Sequence, residues 1–438
     1  MSRRRREPET ARIAAVTHDG RGIAELPGKK VFVAGALAGE EVRFQRRKSR
    51  RSYDEAELLE VIEASPERIE PRCAVFGRCG GCALQQVSDG EQRELKFQAL
   101  RDSLERIGQV QAGCWLDPIV ASSWHYRRRA RLAVKDVHAK GRVLVGFRER
   151  HAPFITDMHR CEVLETPIDA MLDPLSELIG SLSIRARLPQ IEVAVAENAV
   201  ALVFRVLDRP TAADEELLRQ FGAAHDVRIY LQSGGIDSVE LLHPPTADDA
   251  LYYTLPDFDL RIEFDPIGFV QINGEVNRRM VSRAVELLDP GAGDRVLDLF
   301  CGIGNFSLPL ARHGRQVLGI DAEASLVAAA AGNAARNGLE NAAFRAADLS
   351  AIDGTEAWLR QGWERLLLDP ARSGAAEIVR HMPAIGAERI VYVSCHPGTL
   401  ARDAGTLVNE HGYRLEAAGI IDMFPHTAHV ESIAVFNK

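Results

Sequence analysis

A thiol stands where a strand-like apolar run gives out, in Val391-Tyr392-Val393-Ser394-Cys395-His396-Pro397. A buried core cysteine is common. Here, however, polar Ser394 and His396 flank the thiol at the carboxyl end of a strand, where open α/β sheets bind ligands. Near the end of the chain, Phe424-Pro425-His426-Thr427-Ala428-His429-Val430-Glu431-Ser432 supplies two imidazoles and a carboxylate. A thiolate with a carboxylate or histidine beside it suffices for covalent attack followed by proton removal. Glu431 opens a final strand, Ser432–Phe436, while His426 and His429 are read as shaping the loop.

A second constellation is a row of carboxylates. The run Val296-Leu297-Asp298-Leu299-Phe300-Cys301-Gly302-Ile303-Gly304-Asn305-Phe306 is a strand ending in a glycine turn. Glycines there let a ligand approach the backbone. The next strand ends in Asp321, about 20 residues past the glycine turn, a position suited to accepting hydrogen bonds from ribose hydroxyls. Asp348 and Asp369 end the third and fourth strands. Helix capping alone is a poor account of four successive strands each closed by an acid. A dinucleotide dehydrogenase is disfavoured, because nothing supplies a second mononucleotide half. Cys301, inside the turn, is read as packing.

The third constellation is Cys73-x5-Cys79-x2-Cys82, with Cys161 after 78 further residues as the fourth thiol. The seven cysteines are odd in number and the chain reads as cytoplasmic, so a disulfide framework is not expected. Four thiolates suit structural zinc or an iron–sulfur cluster, and spacing alone favours zinc. Cys114 receives no role.

The elements that must hold these groups can be read from periodicity. Five short strands, Ile13–Val16, Gly22–Glu25, Val31–Val33, Glu41–Arg46 and Glu55–Ile62, with glycine turns between them, predict a small closed barrel of the OB type. A proline-bounded joint, Ser65–Pro71, follows. Residues 90–108 predict a helix with Leu95, Ala99, Leu104 and Ile107 on one apolar stripe. From about 125 to 264 the pattern is that of an antiparallel α+β unit. Beyond 266, strands Arg295–Phe300, Gln316–Ile320, Ala342–Ala346, Arg365–Leu368 and Arg389–Ser394 alternate with helices such as Ala322–Asn337, which predicts a doubly wound parallel sheet. Three domains are expected, at 1–70, 71–265 and 266–438, with the 90–117 segment able to pack on the last.

Charge points to a polyanionic partner. Residues 1–52 carry a net charge of +8 and residues 124–150 a net of +7, within a chain of net −8. Clustered Lys and Arg bind phosphates. In Trp124-His125-Tyr126-Arg127-Arg128-Arg129-Ala130-Arg131 aromatics join a strand-alternating basic face, as in surfaces that stack unpaired bases. No apolar run reaches about 18 residues, so no membrane span is expected. The basic start lacks the apolar core of a secretion signal. A cytoplasmic monomer is expected.

DLFCGIGNFSLPLA, LLLDPARSG, YVSCHPGTLARD and DMFPHTAHVES, with Gln271 in FVQIN, resemble the motifs of the bacterial RNA 5-methyluridine methyltransferases and cover 266–438 almost continuously. The resemblance implies an S-adenosylmethionine-dependent enzyme with a Rossmann-like domain. Its nucleophile falls on Cys395 and its general base on Glu431. Its donor positions fall on Gln271, Phe300, Asn305, Asp321, Asp348 and Asp369, with Asp369 an alternative contact for the uracil edge. The chain departs from the pattern where His396 replaces Asn after the nucleophile and where Asp321 replaces the longer Glu. RNA 5-methylcytidine enzymes resemble it less, since they carry a second cysteine where this chain has Asp369-Pro370-Ala371-Arg372. CGGCALQQ with a remote fourth cysteine is similar to the [4Fe–4S] site of one branch, which makes Cys73, Cys79, Cys82 and Cys161 its ligands. The barrel resembles a TRAM domain. Barrel and cluster together imply the branch that methylates 23S rRNA, with a transfer-RNA enzyme as the alternative and a non-catalytic iron–sulfur RNA-binding protein as the alternative of another class.

Overall fold

The computed structural model describes residues 7–24, 26–246 and 249–438. The basic head Arg3–Arg6 and Glu25, expected to end the second strand, lie outside the described residues. The chain forms two compact units. The first holds the described residues up to Ala99, with Arg148–Phe154 and Phe424–His429; the second holds Leu100–Phe147, Ile155–Met423 and Val430–Lys438.

In the first unit, alternating apolar residues make β1 (Glu9–Val16), β2 (Arg21–Ala24), β3 (Lys30–Ala34), β4 (Glu41–Ser49) and β5 (Tyr53–Glu63). They close into the expected five-stranded barrel, in the order β1-β2-β3-β5-β4. β5 runs parallel to β3 and antiparallel to β4. Ile13, Val31, Val33, Val42 and Phe44 form the dry interior.

The joint after the barrel is fastened electrostatically. Glu40 is 0% exposed. Its Oε2 accepts the Leu37 N–H and Arg68 Nη2, each at 2.8 Å, and Arg68 Nη2 also donates to Gly35 O at 2.7 Å. Burial alone would raise the Glu40 carboxyl, but the Arg68 and Leu37 hydrogen bonds outweigh it and hold the group below its usual range.

In the second unit, β7 (Arg129–Val137), β8 (Arg142–Gly146), β9 (Gln190–Val195), β10 (Val200–Arg205), β11 (Val227–Gln232) and β12 (Val239–His243) follow a short strand β6 (Cys114–Trp115). β7 to β12 form one sheet in the order β12-β11-β10-β9-β7-β8. Antiparallel pairing, expected throughout, fails only between β10 and β11, which run parallel. The helix Ala212–His225 crosses over between them, the connection that a parallel pair requires. Thr211 starts that helix with a capping box. β13 (Leu251–Leu255) and β14 (Leu260–Phe264) make a separate two-stranded ribbon.

The last sheet contains β15 (Arg295–Leu299), β16 (Gln316–Asp321), β17 (Ala342–Ala346), β18 (Arg365–Leu368), β19 (Arg389–Ser394), β20 (Arg414–Ile421) and β21 (Glu431–Asn437), in the order β17-β16-β15-β18-β19-β21-β20-β6. β15 to β19 are parallel, and β21 runs antiparallel between β19 and β20. Val296, Leu297, Leu299, Leu366, Leu367, Leu368, Ile390 and Val391 are all 0% exposed, as strands covered on both faces must be. Strand order reverses between β15 and β18, which opens a crevice at their carboxyl ends.

The segment before this sheet departs from its expected periodicity. The helix Asp89–Ser103 continues into a π turn, Leu104–Gly108. The turn shifts the helical phase, so Leu100 and Leu104 are buried whereas Ile107, expected on the same stripe, is 56% exposed. Gly108 O accepts Asn409 Nδ2 at 3.2 Å, and a Cβ at Gly108 would stand 2.4 Å from Ala401 O. β6 then pairs in parallel with β20 and extends the sheet by one edge strand. Among the described residues no helix is long and apolar enough to cross a membrane.

Replacing Arg68 by Met leaves Glu40 buried without its cation and should destabilise the first unit by about 3 kcal/mol. Because Glu40 titrates low in the fold, wild-type stability from this pair is present above the unfolded carboxyl pKa and is lost as pH falls through the folded one. Thermal melts should therefore separate wild type from Arg68→Met widely at pH 7 and converge toward pH 3.

Candidate functional site

The glycine turn after β15 is built by backbone pairing to β16. Phe300 and Cys301 N–H both donate to Ile320 O, at 2.8 and 3.1 Å. Phe300, Gly302 and Gly304 take positive φ angles of 66°, 54° and 94°. At Gly304 a Cβ would meet Leu308 Cδ1 at 2.1 Å, so only glycine fits. Asp321, at the end of β16, accepts Gly302 N–H on Oδ2 at 3.0 Å and Glu323 N–H on Oδ1 at 3.1 Å. The carboxylate expected to meet a ribose thus lies against the turn expected to admit the ligand. Cys301 is buried and its thiol is pushed far up, first by burial and then by Asp298 and Asp321, which fits its reading as packing.

Asn305 is held by three hydrogen bonds. Tyr253 Oη donates to Asn305 Oδ1 at 2.8 Å. Asn277 and Asn305 exchange reciprocal amide bonds, each at 3.0 Å. Gln271 enters the same network through its backbone, since its O accepts Arg128 Nε at 2.7 Å. Arg128 lies over the Tyr253 ring, 4.7 Å from its centroid. Phe269, two residues before Gln271, is 71% exposed. Asp348 stands past the end of β17, exposed, with Oδ1 accepting the Ser350 N–H and hydroxyl at 2.9 and 2.7 Å.

The reactive groups converge at the carboxyl ends of β18 and β19. The Cys395 thiol is pushed up to about 11 by burial and by the neighbouring carboxylates of Glu431 and Asp369, with Arg372 pulling it the other way. These four side chains, from three segments of the sequence, therefore share one electrostatic environment. Burial pushes Asp369 up to about 7. Asp298, inside β15, is 0% exposed and is pushed up to about 8 by burial, with Asp369 and Asp321 adding to the shift. Ser307 Oγ donates to Asp298 Oδ2. Two neighbouring acids, Asp298 and Asp369, whose pKa values are raised by desolvation are a mark of a functional crevice.

His396 has a positional task. Its Nδ1 accepts Thr399 N–H at 3.3 Å and so caps the helix Pro397–Asn409 that follows Cys395. His426 is buried in the first unit, where its O accepts Ala83 and Leu84 N–H at 2.8 and 3.0 Å and its N–H donates to Gln92 Oε1 at 2.8 Å. His429 stacks on Phe424 at 4.9 Å between centroids. Both histidines shape the loop.

In the basic stretch expected to form an RNA-binding face, several cations are engaged within the protein. Arg128 is 6% exposed. Arg129 Nη1 donates to Pro266 O at 2.8 Å, and Arg131 pairs with Glu192 at 2.9 Å. Arg128 is drawn inward because a guanidinium offers both an aromatic-stacking face and donors for the Gln271 carbonyl.

The expected cluster ligands fall in both units. In the first, Cys73 N–H donates to Gln85 Oε1 at 3.1 Å and Cys79 Sγ accepts Gly81 N–H at 3.4 Å. In the second, Cys161 N–H donates to Asp169 Oδ1 at 2.6 Å. Among the described residues, no group of three or more His, Cys, Asp or Glu side chains is placed to hold a metal ion.

Sequence reasoning counted Asp298 in its row of carboxylates without giving it a role, and missed Arg372, Tyr253, Asn277 and Phe269. Arg372 was within reach, as a cation three residues past Asp369. Tyr253 and Asn277 had no local signal, since only tertiary folding brings them to Asn305.

A closed barrel joined to a Rossmann-like sheet, with a glycine turn and buried acids at its switch point, defines a ligand-binding α/β transferase. The profile of the tRNA (Uracil-5-)-methyltransferase family matches residues 119–438, and the chain belongs to that family. It is 51% identical to the 23S rRNA (uracil(1939)-C(5))-methyltransferase RlmD of Nitrosococcus oceani over 99% of this chain and 96% of that protein. It is 49% identical to the RlmD of Methylococcus capsulatus, over 99% and 97%. Among solved structures it is similar to the Pyrococcus abyssi tRNA (uracil-54, C5)-methyltransferase in complex with S-adenosyl-L-homocysteine, with a TM-score of 0.75 and 24% identity over 98% of this chain and 100% of that one. That likeness extends the shared fold to both units.

Since the thiolate and not the thiol is the nucleophile, alkylation of Cys395 by iodoacetamide should accelerate about tenfold per pH unit between pH 7 and 9, below its pKa of about 11. Arg372→Gln should slow it at every pH. Peptide mass spectrometry resolves Cys395 from the other thiols.

Proposed function

We propose that this chain transfers the methyl group of S-adenosylmethionine to carbon 5 of a uridine in 23S rRNA. The observation that carries the proposal is the grouping of Cys395 with Glu431, Asp369 and Arg372 at the switch-point crevice. The 23S substrate is supported by the near full-length relatives at about half identity, which bear that activity in their names.

Carbon 5 of uracil is a poor nucleophile. The Cys395 thiolate adds to carbon 6, and the electron pair released makes carbon 5 enolate-like. The donor, when bound, supplies an electrophilic sulfonium methyl. After transfer, carbon 5 carries both the new methyl and its original proton. Glu431 takes that proton as general base, the carbon 5–carbon 6 double bond re-forms, and the carbon–sulfur bond breaks to return the thiolate. Arg372 favours the thiolate. Asp369, with its proton held near neutrality, can donate a hydrogen bond to the uracil edge. Gln271, Phe300, Asn305, Asp321 and Asp348 are assigned to the donor, and exposed Phe269 offers a ring on which a base can stack. The target base must leave its stack to reach a crevice at a sheet edge. The barrel is proposed as a TRAM-type RNA-binding module.

We also propose that Cys73, Cys79, Cys82 and Cys161 ligate a [4Fe–4S] cluster. The support is their spacing and number, and the N–H donated to Cys79 Sγ, a contact that tunes cluster thiolates. The proposed methyl transfer is redox-neutral, so the cluster would be structural or RNA-positioning. Anaerobically purified protein should be brown and contain iron and sulfide; a colourless protein with one zinc would refute the cluster.

Labelled methyl should pass to unmodified 23S rRNA as 5-methyluridine, and Cys395→Ala should abolish it while donor binding by calorimetry persists. Glu431→Gln should retain methyl transfer but not release, leaving protein and RNA covalently joined on a denaturing gel. Label in transfer RNA alone would keep the chemistry and move the substrate. No label in either RNA would sink the proposal.

A further inference from the structure

We propose that the first unit carries a contact for single-stranded RNA, in which an unpaired base stacks on Phe154 and backbone phosphates meet Arg78 and Arg148. This inference rests on the reading of the chain as an RNA enzyme and adds to it a second place where the RNA is held, outside the crevice of Cys395.

Two segments far apart in sequence build the surface. Gly80 N–H donates to Arg148 O at 2.9 Å, and Arg150 N–H donates to Arg78 O at 2.8 Å, around an antiparallel bridge between Cys79 and Glu149. The second segment then folds into a tight loop closed by Glu149 N–H donating to Phe154 O at 2.8 Å. Arg148 Nη1 donates to Pro153 O at 3.0 Å, inside the same loop. Arg150 Nη2 fastens it to Cys82 O at 2.6 Å. His151, exposed, makes the turn at a φ of 87°.

The result is an exposed aromatic side chain on a loop closed by its own hydrogen bonds. Phe154 is 68% exposed. A single exposed apolar residue needs no explanation. This one is different because its loop is locked at both ends and bordered by cations. The Arg78 side chain is 59% exposed while Glu149, its ion-pair partner at 2.6 Å, is 16% exposed, so the guanidinium is the outward half of the pair. Arg148 is exposed. An exposed ring on a loop that also carries outward guanidiniums matches a strand of unpaired nucleotides, in which a flat base sits beside charged phosphates. An acidic protein could also meet the arginines, but the reading of the chain as an RNA enzyme makes RNA the polyanion at hand.

The test is filter binding of the full-length protein to an unmodified 23S rRNA transcript across a salt series. Phe154→Ala should weaken binding roughly tenfold with an unchanged salt slope. Phe154→Trp should bind like wild type. Arg148→Gln should lower the slope of log affinity against log salt by about 0.7, the value for one phosphate contact on a single strand. Binding by Phe154→Ala within twofold of wild type would overturn the contact. A Phe154→Leu variant that binds like wild type would overturn the stacking, since leucine keeps the apolar bulk without the ring. If Arg148→Gln changes only the iron content and not the salt slope, the arginine serves the cluster and the proposal fails. These outcomes are separable from failure of the functional reading, in which wild type itself would transfer no methyl to RNA.

Discussion

Desolvation at the carboxyl edge of the parallel sheet is the constraint on which this molecule turns. Asp298, Asp369 and Cys395 come from β15 and from just beyond β18 and β19, strands so apolar that their neighbourhood cannot solvate charge. Each group is pushed toward its neutral form first by burial and then, for Asp298 and Cys395, by acidic neighbours. Adjacent buried anions are disfavoured in such a medium, so the crevice keeps protons it would lose in water. That state is useful to the chemistry proposed here. A neutral acid can donate a hydrogen bond, and one guanidinium, Arg372, offsets part of the upward push on the thiol.

The crevice can hold reluctant groups only because the loops bearing them are fixed from outside. Asp403, 1% exposed, accepts Ala375 N–H and Tyr392 Oη on Oδ2, each at 2.8 Å, while Arg402 Nε donates to Oδ1 at 2.8 Å. Arg402 Nη2 also reaches Ser373 O at 2.9 Å. This clamp ties the loop of Asp369 and Arg372 to the strand and helix on either side of Cys395. Across the glycine turn, Arg128, Tyr253 and Asn277 do the same for Gln271 and Asn305. Neither group of residues is assigned contact with a reacting atom. Both convert a flexible βα loop into a fixed one, which is what positioning of reactants requires.

The fold was largely legible because its signals are local. Apolar strands of four to six residues separated by glycine turns and helices define the last sheet, and alternation defines the barrel. Cys395, Glu431, Asp369, Asp321 and Asn305 were legible for a related reason, since each stands at a strand end or in a turn whose type the sequence declares. What could not be read depends on distant partners. A two-residue strand such as β6 has no period and exists only because β20 leaves an edge for it. The parallel register of β10 and β11 is a property of the helix between them. Arg128 reads as a surface cation until the Tyr253 ring and the Gln271 carbonyl are placed around it.

The two departures from the family pattern can be explained by the same local physics. Asparagine is a strong helix N-cap because its side-chain oxygen accepts a backbone N–H. His396 does this with Nδ1, accepting Thr399 N–H, so the exchange preserves the start of the helix behind Cys395. Asp321 is shorter than glutamate by one methylene, and it spends one lone pair of each oxygen on the N–H groups of Gly302 and Glu323. Each carboxylate oxygen has a second lone pair, which leaves acceptors for a ribose. The shorter side chain holds them closer to the glycine turn, so a sugar bound by Asp321 must sit deeper against Gly302 than one held at the end of a glutamate.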